Sequence, residues 1–116
     1  MTLIEKYGMV KSARVIQDFY ADVVKDPLLK DLFMTVSISE LAEHQADVLV
    51  MVMGGARSHS DRVIRHAHAG MKINDAQFDA MIQHLKRRLL SNGFDRADAE
   101  QIITSYRGYQ PVVTGV

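Results

Sequence analysis

The fold is limited first by where this chain can break. Its two prolines are Pro27 and Pro111, and none lies between them. Further breakers fall at Gly8, Gly54-Gly55, Gly70, Gly93 and Gly108. Strands are usually punctuated by turn clusters every 8–12 residues or so, and this chain lacks that rhythm. The segments between its breaks are long enough for helices, so an all-α class is expected.

Start and stop signals place those helices. Residues 10–24 set Ala13, Ile16, Phe19, Tyr20, Val23 and Val24 at spacings of three and four, which is one helical face. Asp26-Pro27 offers a capping oxygen followed by a proline at the first helical position, predicting a short helix over Pro27–Phe33. Ser37-Ile38-Ser39-Glu40 has the spacing of a capping box and opens a helix through Met53, stopped by Gly54-Gly55. Ser60-Asp61 caps a short segment to about Ala69, Asn74 a longer helix to about Ser91, and Asp95 a last one to about Tyr106. No linker, repeat or low-complexity stretch divides the chain, so one domain over 1–116 is expected.

Composition removes several functions. There is no cysteine, which excludes disulfide frameworks, thiolate metal sites and a Cys nucleophile. Fourteen Lys and Arg balance fourteen Asp and Glu, so no long-range field favours nucleic acid or an acidic membrane. No apolar run approaches the ~20 residues that span a bilayer, and no signal-peptide pattern opens the chain. A soluble, cytoplasmic monomer is the expectation.

The chemistry concentrates in histidines 44, 59, 66, 68 and 84. On the helix that starts at Ile38, the stripe Leu41, His44, Gln45, Val48, Leu49, Val52 is apolar except for His44 and Gln45, which need partners. His68 follows Ile64 by four residues and precedes Met71 by three, an inward position. His66, two residues earlier, points about 200° away on a helix, which argues against the pair chelating one ion. His84 lies off the face of Phe78, Met81, Ile82, Leu85 and Leu89 and reads as structural. Tyr20 can turn its hydroxyl inward, where a partner is required. Arg57, Arg62 and Arg65 cluster near the second glycine break, as a solvated face or an anion clamp. The segment between Met53 and Asn74 holds one short helix between loops, a pattern common at functional sites. No phosphate loop, zincin motif or nucleophile triad is present. An iron porphyrin would use each of these parts: an axial imidazole, an apolar sandwich, polar groups over the open iron face and cations at the propionates. The rival is a non-haem helical module, either a metal binder using His59, His66 and His68 or a protein-interaction adaptor.

From Leu3 to about Tyr106 the chain resembles a group 1 truncated haemoglobin, the shortened 2-on-2 globin. Four features carry the resemblance in order: Phe19-Tyr20 followed by Asp26-Pro27, Phe33 before a corner, Leu41-Ala42-Glu43-His44-Gln45 leading to Gly54-Gly55, and Arg65-His66-Ala67-His68. The resemblance implies a helical sandwich around haem b, iron protoporphyrin IX. It implies that His68 is the proximal iron ligand and that Phe33 packs on the porphyrin. Tyr20 then hydrogen-bonds bound dioxygen, with Gln45 in support. Leu41 takes the position where other globins keep a distal histidine or glutamine, so it cannot donate. Val48 lines the pocket behind Gln45. His44 stands where a lysine often meets a propionate, and where a histidine in some members binds iron as a sixth ligand. Arg65 matches a basic residue that meets a propionate.

Three departures accompany the match. Gly8 is followed by Met9 where the family usually has two glycines, His59 replaces a common propionate-binding tyrosine, and Val48 and Leu49 replace aromatics behind the glutamine. The implied partners are dioxygen, nitric oxide and carbon monoxide. The resemblance implies oxygen binding or transport as the primary activity, with nitric oxide dioxygenation or a peroxidase-like reaction as the side activity to expect. Any reductase is a separate protein, since the chain has no flavin or nicotinamide motif.

Overall fold

The computed structural model describes residues 1–55 and 59–115. Its helices are α1 (Leu3–Tyr7), α2 (Met9–Val23), α3 (Ile38–Val52), α4 (Asp61–His68), α5 (Asp75–Ser91), α6 (Arg96–Arg107) and α7 (Gln110–Val113), with a 3-10 turn over Lys30–Phe33. Among the described residues the only strand-like pairing is an isolated bridge between Ile73 and Thr114. The all-α expectation therefore holds. No helix among them is long and apolar enough to cross a membrane.

The caps explain most boundaries. Asn74 and Gln77 form a full capping box at α5, and Ser60 Oγ accepts the Val63 N–H at α4. At α3 only half the predicted box forms: Ser37 Oγ accepts from the Glu40 N–H and also meets Ser39 Oγ at 3.1 Å. Asp95 precedes α6 as expected but makes no side-chain cap; its carboxylate lies 3.1 Å from Lys6 Nζ instead. Two short helices lie outside the sequence reading. A Thr2/Glu5 capping box starts α1, and α7 carries Pro111 in its first turn.

The predicted helix over Pro27–Phe33 is a correction. Asp26 does cap, its Oδ1 accepting the Leu28 N–H at 2.9 Å. Leu29 then drops into the core with no exposure, and the Leu32 N–H bonds only three residues back, to Leu29 O at 3.0 Å. That tighter winding makes a 3-10 turn and sets Phe33 at the corner before α3. On α2 the buried face is also wider than expected. Ser12 and Val15 are fully buried, whereas Val24 is exposed as the C-cap.

α2 packs on α3 and on α5, α5 packs on α6, and α3 touches α6. Two helix pairs, α2–α3 and α5–α6, thus meet two on two. Phe19 and Val23 of α2, Leu49 of α3, Ile82, Leu85 and Leu89 of α5, and Ile102 of α6 fill the seam. Polar clasps close its α2–α5 edge. Arg88 grips Asp22 through two bonds of 2.6 and 2.7 Å, His84 Nε2 lies 2.8 Å from Asp26 Oδ2, and Asn92 donates to Asp18 at 3.1 Å. His84 is therefore structural, as its off-face position suggested.

The N-terminal helix is tied to the far end of α3. Gly8 alone makes the turn from α1 into α2, at φ +83°. The Ile4 N–H donates to Met53 O at 3.0 Å, and Ser12 Oγ lies 3.4 Å from Met53 Sδ. Gly54, at φ +93°, passes so close that a Cβ there would sit 3.1 Å from Thr2 Cβ.

Candidate functional site

α4 is eight residues long and buries only Ile64. It ends where Ala69 turns extended, followed by Gly70 at φ +82°. One turn after Ile64, half-buried His68 presents its ring on the same face. Its Nδ1 lies 2.7 Å from Ile64 O. A carbonyl oxygen only accepts, so Nδ1 carries the proton and a neutral ring keeps its lone pair on Nε2. A backbone carbonyl that fixes the tautomer in this way is the usual support of a metal-ligating histidine. His66 is exposed, as its opposite position required.

α2 contributes Tyr20, which is 5% exposed. Burial pushes its phenol pKa well up, so the group is a neutral donor. Its ring stands edge-on to Phe19 at 5.0 Å and to Phe33 at 5.9 Å. Its hydroxyl makes no hydrogen bond among the described residues, so a donor is left to spare. The half-buried Phe33 thus neighbours Tyr20.

α3 supplies a wall of Leu41, Gln45 and Val48, the first two half-buried and the last buried. The stripe read from the sequence needs one correction. His44 is exposed, because the helix turns it past the edge of the buried face. Its ring stands edge-on to that of His59, with centroids 6.1 Å apart. Arg62 and Arg65 are exposed on α4, and neither is ion-paired among the described residues. Arg57, the third arginine of that cluster, lies outside the described residues. Among the described residues no three metal-ligating side chains converge, so His59, His66 and His68 do not make one site.

One polar group went unnoticed in the sequence. Tyr106 on α6 has a buried hydroxyl with no hydrogen-bond partner among the described residues. Its position four residues after Ile102 and three after Ile103 was the available signal.

This arrangement offers one imidazole lone pair, a spare phenol donor and an apolar wall bearing one amide. It suits a flat apolar group that carries a metal at its centre, and it lacks a nucleophile–base pair. The bacterial-like globin family model matches residues 2–112. The chain is 30% identical over 93 residues to the group 1 truncated haemoglobin of Tetrahymena thermophila, covering 79% of this chain and 77% of that protein. It is likewise 30% identical over 97 residues to the group 1 truncated haemoglobin of Synechocystis, covering 79% and 78%. The crystal structure of the Fe(III) truncated haemoglobin from Tetrahymena pyriformis superposes with a TM-score of 0.91 at 25% identity, over 100% of both chains. The haemoglobin of Chloroflexus aurantiacus superposes with a TM-score of 0.81 at 28% identity, over 98% of both. The fold, the matched residues and these relatives agree: the chain belongs to the bacterial-like globin family, among the group 1 truncated haemoglobins.

Proposed function

We propose that this protein binds haem b between α3 and α4 and holds small diatomic ligands there. Bound haem supplies a ferrous iron that takes dioxygen, carbon monoxide or nitric oxide. The observation that carries the reading is the His68–Ile64 bond, which leaves Nε2 of a half-buried imidazole with its lone pair free. His68 would ligate the iron. Tyr20 would donate to the bound gas, favouring ligands that carry negative charge when bound, and Gln45 would support it. Phe33, Leu41 and Val48 cover the apolar faces, and Arg65 meets a propionate.

Nitric oxide removal is the further activity that this pocket admits. The chain has no flavin or nicotinamide motif, so a separate reductase supplies the electron. His44 stands at the rim beside His59 and reaches the iron as a sixth ligand only if α3 shifts inward. A low-spin ferrous spectrum that turns high-spin in His44→Leu is the mark of that ligation; a five-coordinate wild type rules it out.

The test is the absorption spectrum of protein expressed with haem supplied. An intense Soret band is expected, with His68→Ala losing haem and His66→Ala retaining it. A colourless wild type would overturn the proposal.

A further inference from the structure

Tyr106 is oriented against its own chemistry. Tyrosines at a surface usually bury the ring and leave the hydroxyl wet. Here the residue as a whole is only half-buried, yet its Oη is the part sealed from water. It is also the one side-chain polar atom among the described residues that is fully sealed from water and has no hydrogen-bond partner. Such a group is costly and calls for a missing neighbour.

What surrounds the hydroxyl points to where that neighbour sits. Burial pushes the Tyr106 phenol pKa far up, and the phenols of Tyr20 and Tyr109 push the same way, because each would repel a phenolate there. Tyr20 on α2 also leaves its hydroxyl without a partner among the described residues. Tyr20 belongs to the core cluster against which Tyr106 packs, as do Phe33 and Leu41, so the two phenols, one from α2 and one from α6, share one interior. α6 also touches α3, the helix that carries Gln45 and Val48.

We infer that Tyr106 is a haem-contacting residue, lining the pocket from α6 with a hydroxyl whose partner arrives only when the cofactor is seated. The inference rests on the haem reading above and adds a residue to it. In the haem-free chain the oxygen is a liability. In the loaded protein it meets the macrocycle's electron-rich face or a polar atom that the macrocycle carries in. One substitution should therefore act with opposite sign on the two forms. Removing an unmatched buried hydroxyl is neutral or stabilising, whereas removing a matched one loses a bond.

The experiment compares Tyr106→Phe with wild type in both forms. Haem transfer from the ferric protein to an excess of a scavenging apoglobin should be roughly 2- to 12-fold faster in the variant, the size of one ordinary hydrogen bond. The thermal midpoint of the haem-free variant should equal the wild-type value or exceed it by about 2–5 °C. Tyr109→Phe should leave the transfer rate at the wild-type value. An unchanged transfer rate in Tyr106→Phe overturns the inference. So does a haem-free variant that melts lower, since a trapped water would then already satisfy the hydroxyl. A wild type without a Soret band defeats the haem reading and this inference together, whereas a normal Soret band with an unmoved transfer rate defeats this inference alone.

Discussion

Along the seam between α2 and α5, polar side chains at the edge are matched to each other. Asp22 has Arg88, Asp26 has His84 and Asp18 has Asn92, and Leu85 and Leu89 fill the space behind them. Around α4 the pattern reverses. One residue, Ile64, is buried, Arg62 and Arg65 reach outward without ion pairs among the described residues, and His68 keeps a free ring nitrogen. The first region is complete as a protein interior. The second has donors and lone pairs that nothing among the described residues uses. In a chain of this length, unused polar groups next to a well-matched core mark where a non-protein component belongs.

The largest effect that tests this contrast is a core truncation. Leu89→Ala should cost about 2–5 kcal/mol in urea unfolding, equally with and without haem, because Leu89 is fully buried in the self-sufficient half. Ile64→Ala should weaken the haem-loaded form more than the haem-free form, since α4 acts mainly by presenting His68. Equal losses in both forms would erase the proposed division.

The next effect in size lies at Tyr20. A hydrogen bond in a dry pocket is worth about 1–3 kcal/mol, so Tyr20→Phe should speed dioxygen release roughly 5- to 150-fold. Carbon monoxide, less polar when bound, should respond far less. Flash-photolysis rates that move together for both gases would show that Tyr20 acts by shape alone.

The smallest effect concerns the clasp. Arg88 holds the Asp22 carboxyl below its ordinary pKa. A depressed folded pKa gives stability that is fully present above the unfolded value, about 3.9, and is lost as pH falls through the folded one. Asp22→Asn should therefore lower the thermal midpoint at neutral pH, with the two proteins converging in strong acid. A gap that persists at low pH would assign the effect to packing instead of charge.

The helices were legible because breakers and caps act locally. Asn74 and Gly93 bracket α5 from residues within a turn of its ends. The inward position of His68 followed from its distance to Ile64 along one helix. Less local features were harder to read. The 3-10 turn before Phe33 depends on Leu29 finding a place in the core, a tertiary matter that no capping rule contains. His44 seemed part of an apolar stripe because periodicity gives an angle but not the width of the face that its neighbours cover. The hydroxyl of Tyr106 belongs to the same class. Its spacing placed the residue inward, while the lack of a partner appears only once every helix is in position.

The tie between α1 and the end of α3 gives the helix a fulcrum. Met53 is held by the Ile4 amide and by Ser12, and Gly54 is pressed against Thr2. At the opposite end Ser37, Ser39 and Glu40 are exposed and bond mainly to one another. α3 is thus a lever pinned at its C-terminal end. His44 lies nine residues from the pin, an arm of about 13 Å, so a tilt of only about 10° sweeps it through about 2 Å. The same tilt moves Val52 hardly at all. Travel would be greatest at Leu41, His44 and Gln45, the stretch that the proposed function sets along and at the rim of the haem pocket, and the anchor would set the scale of that travel from outside it.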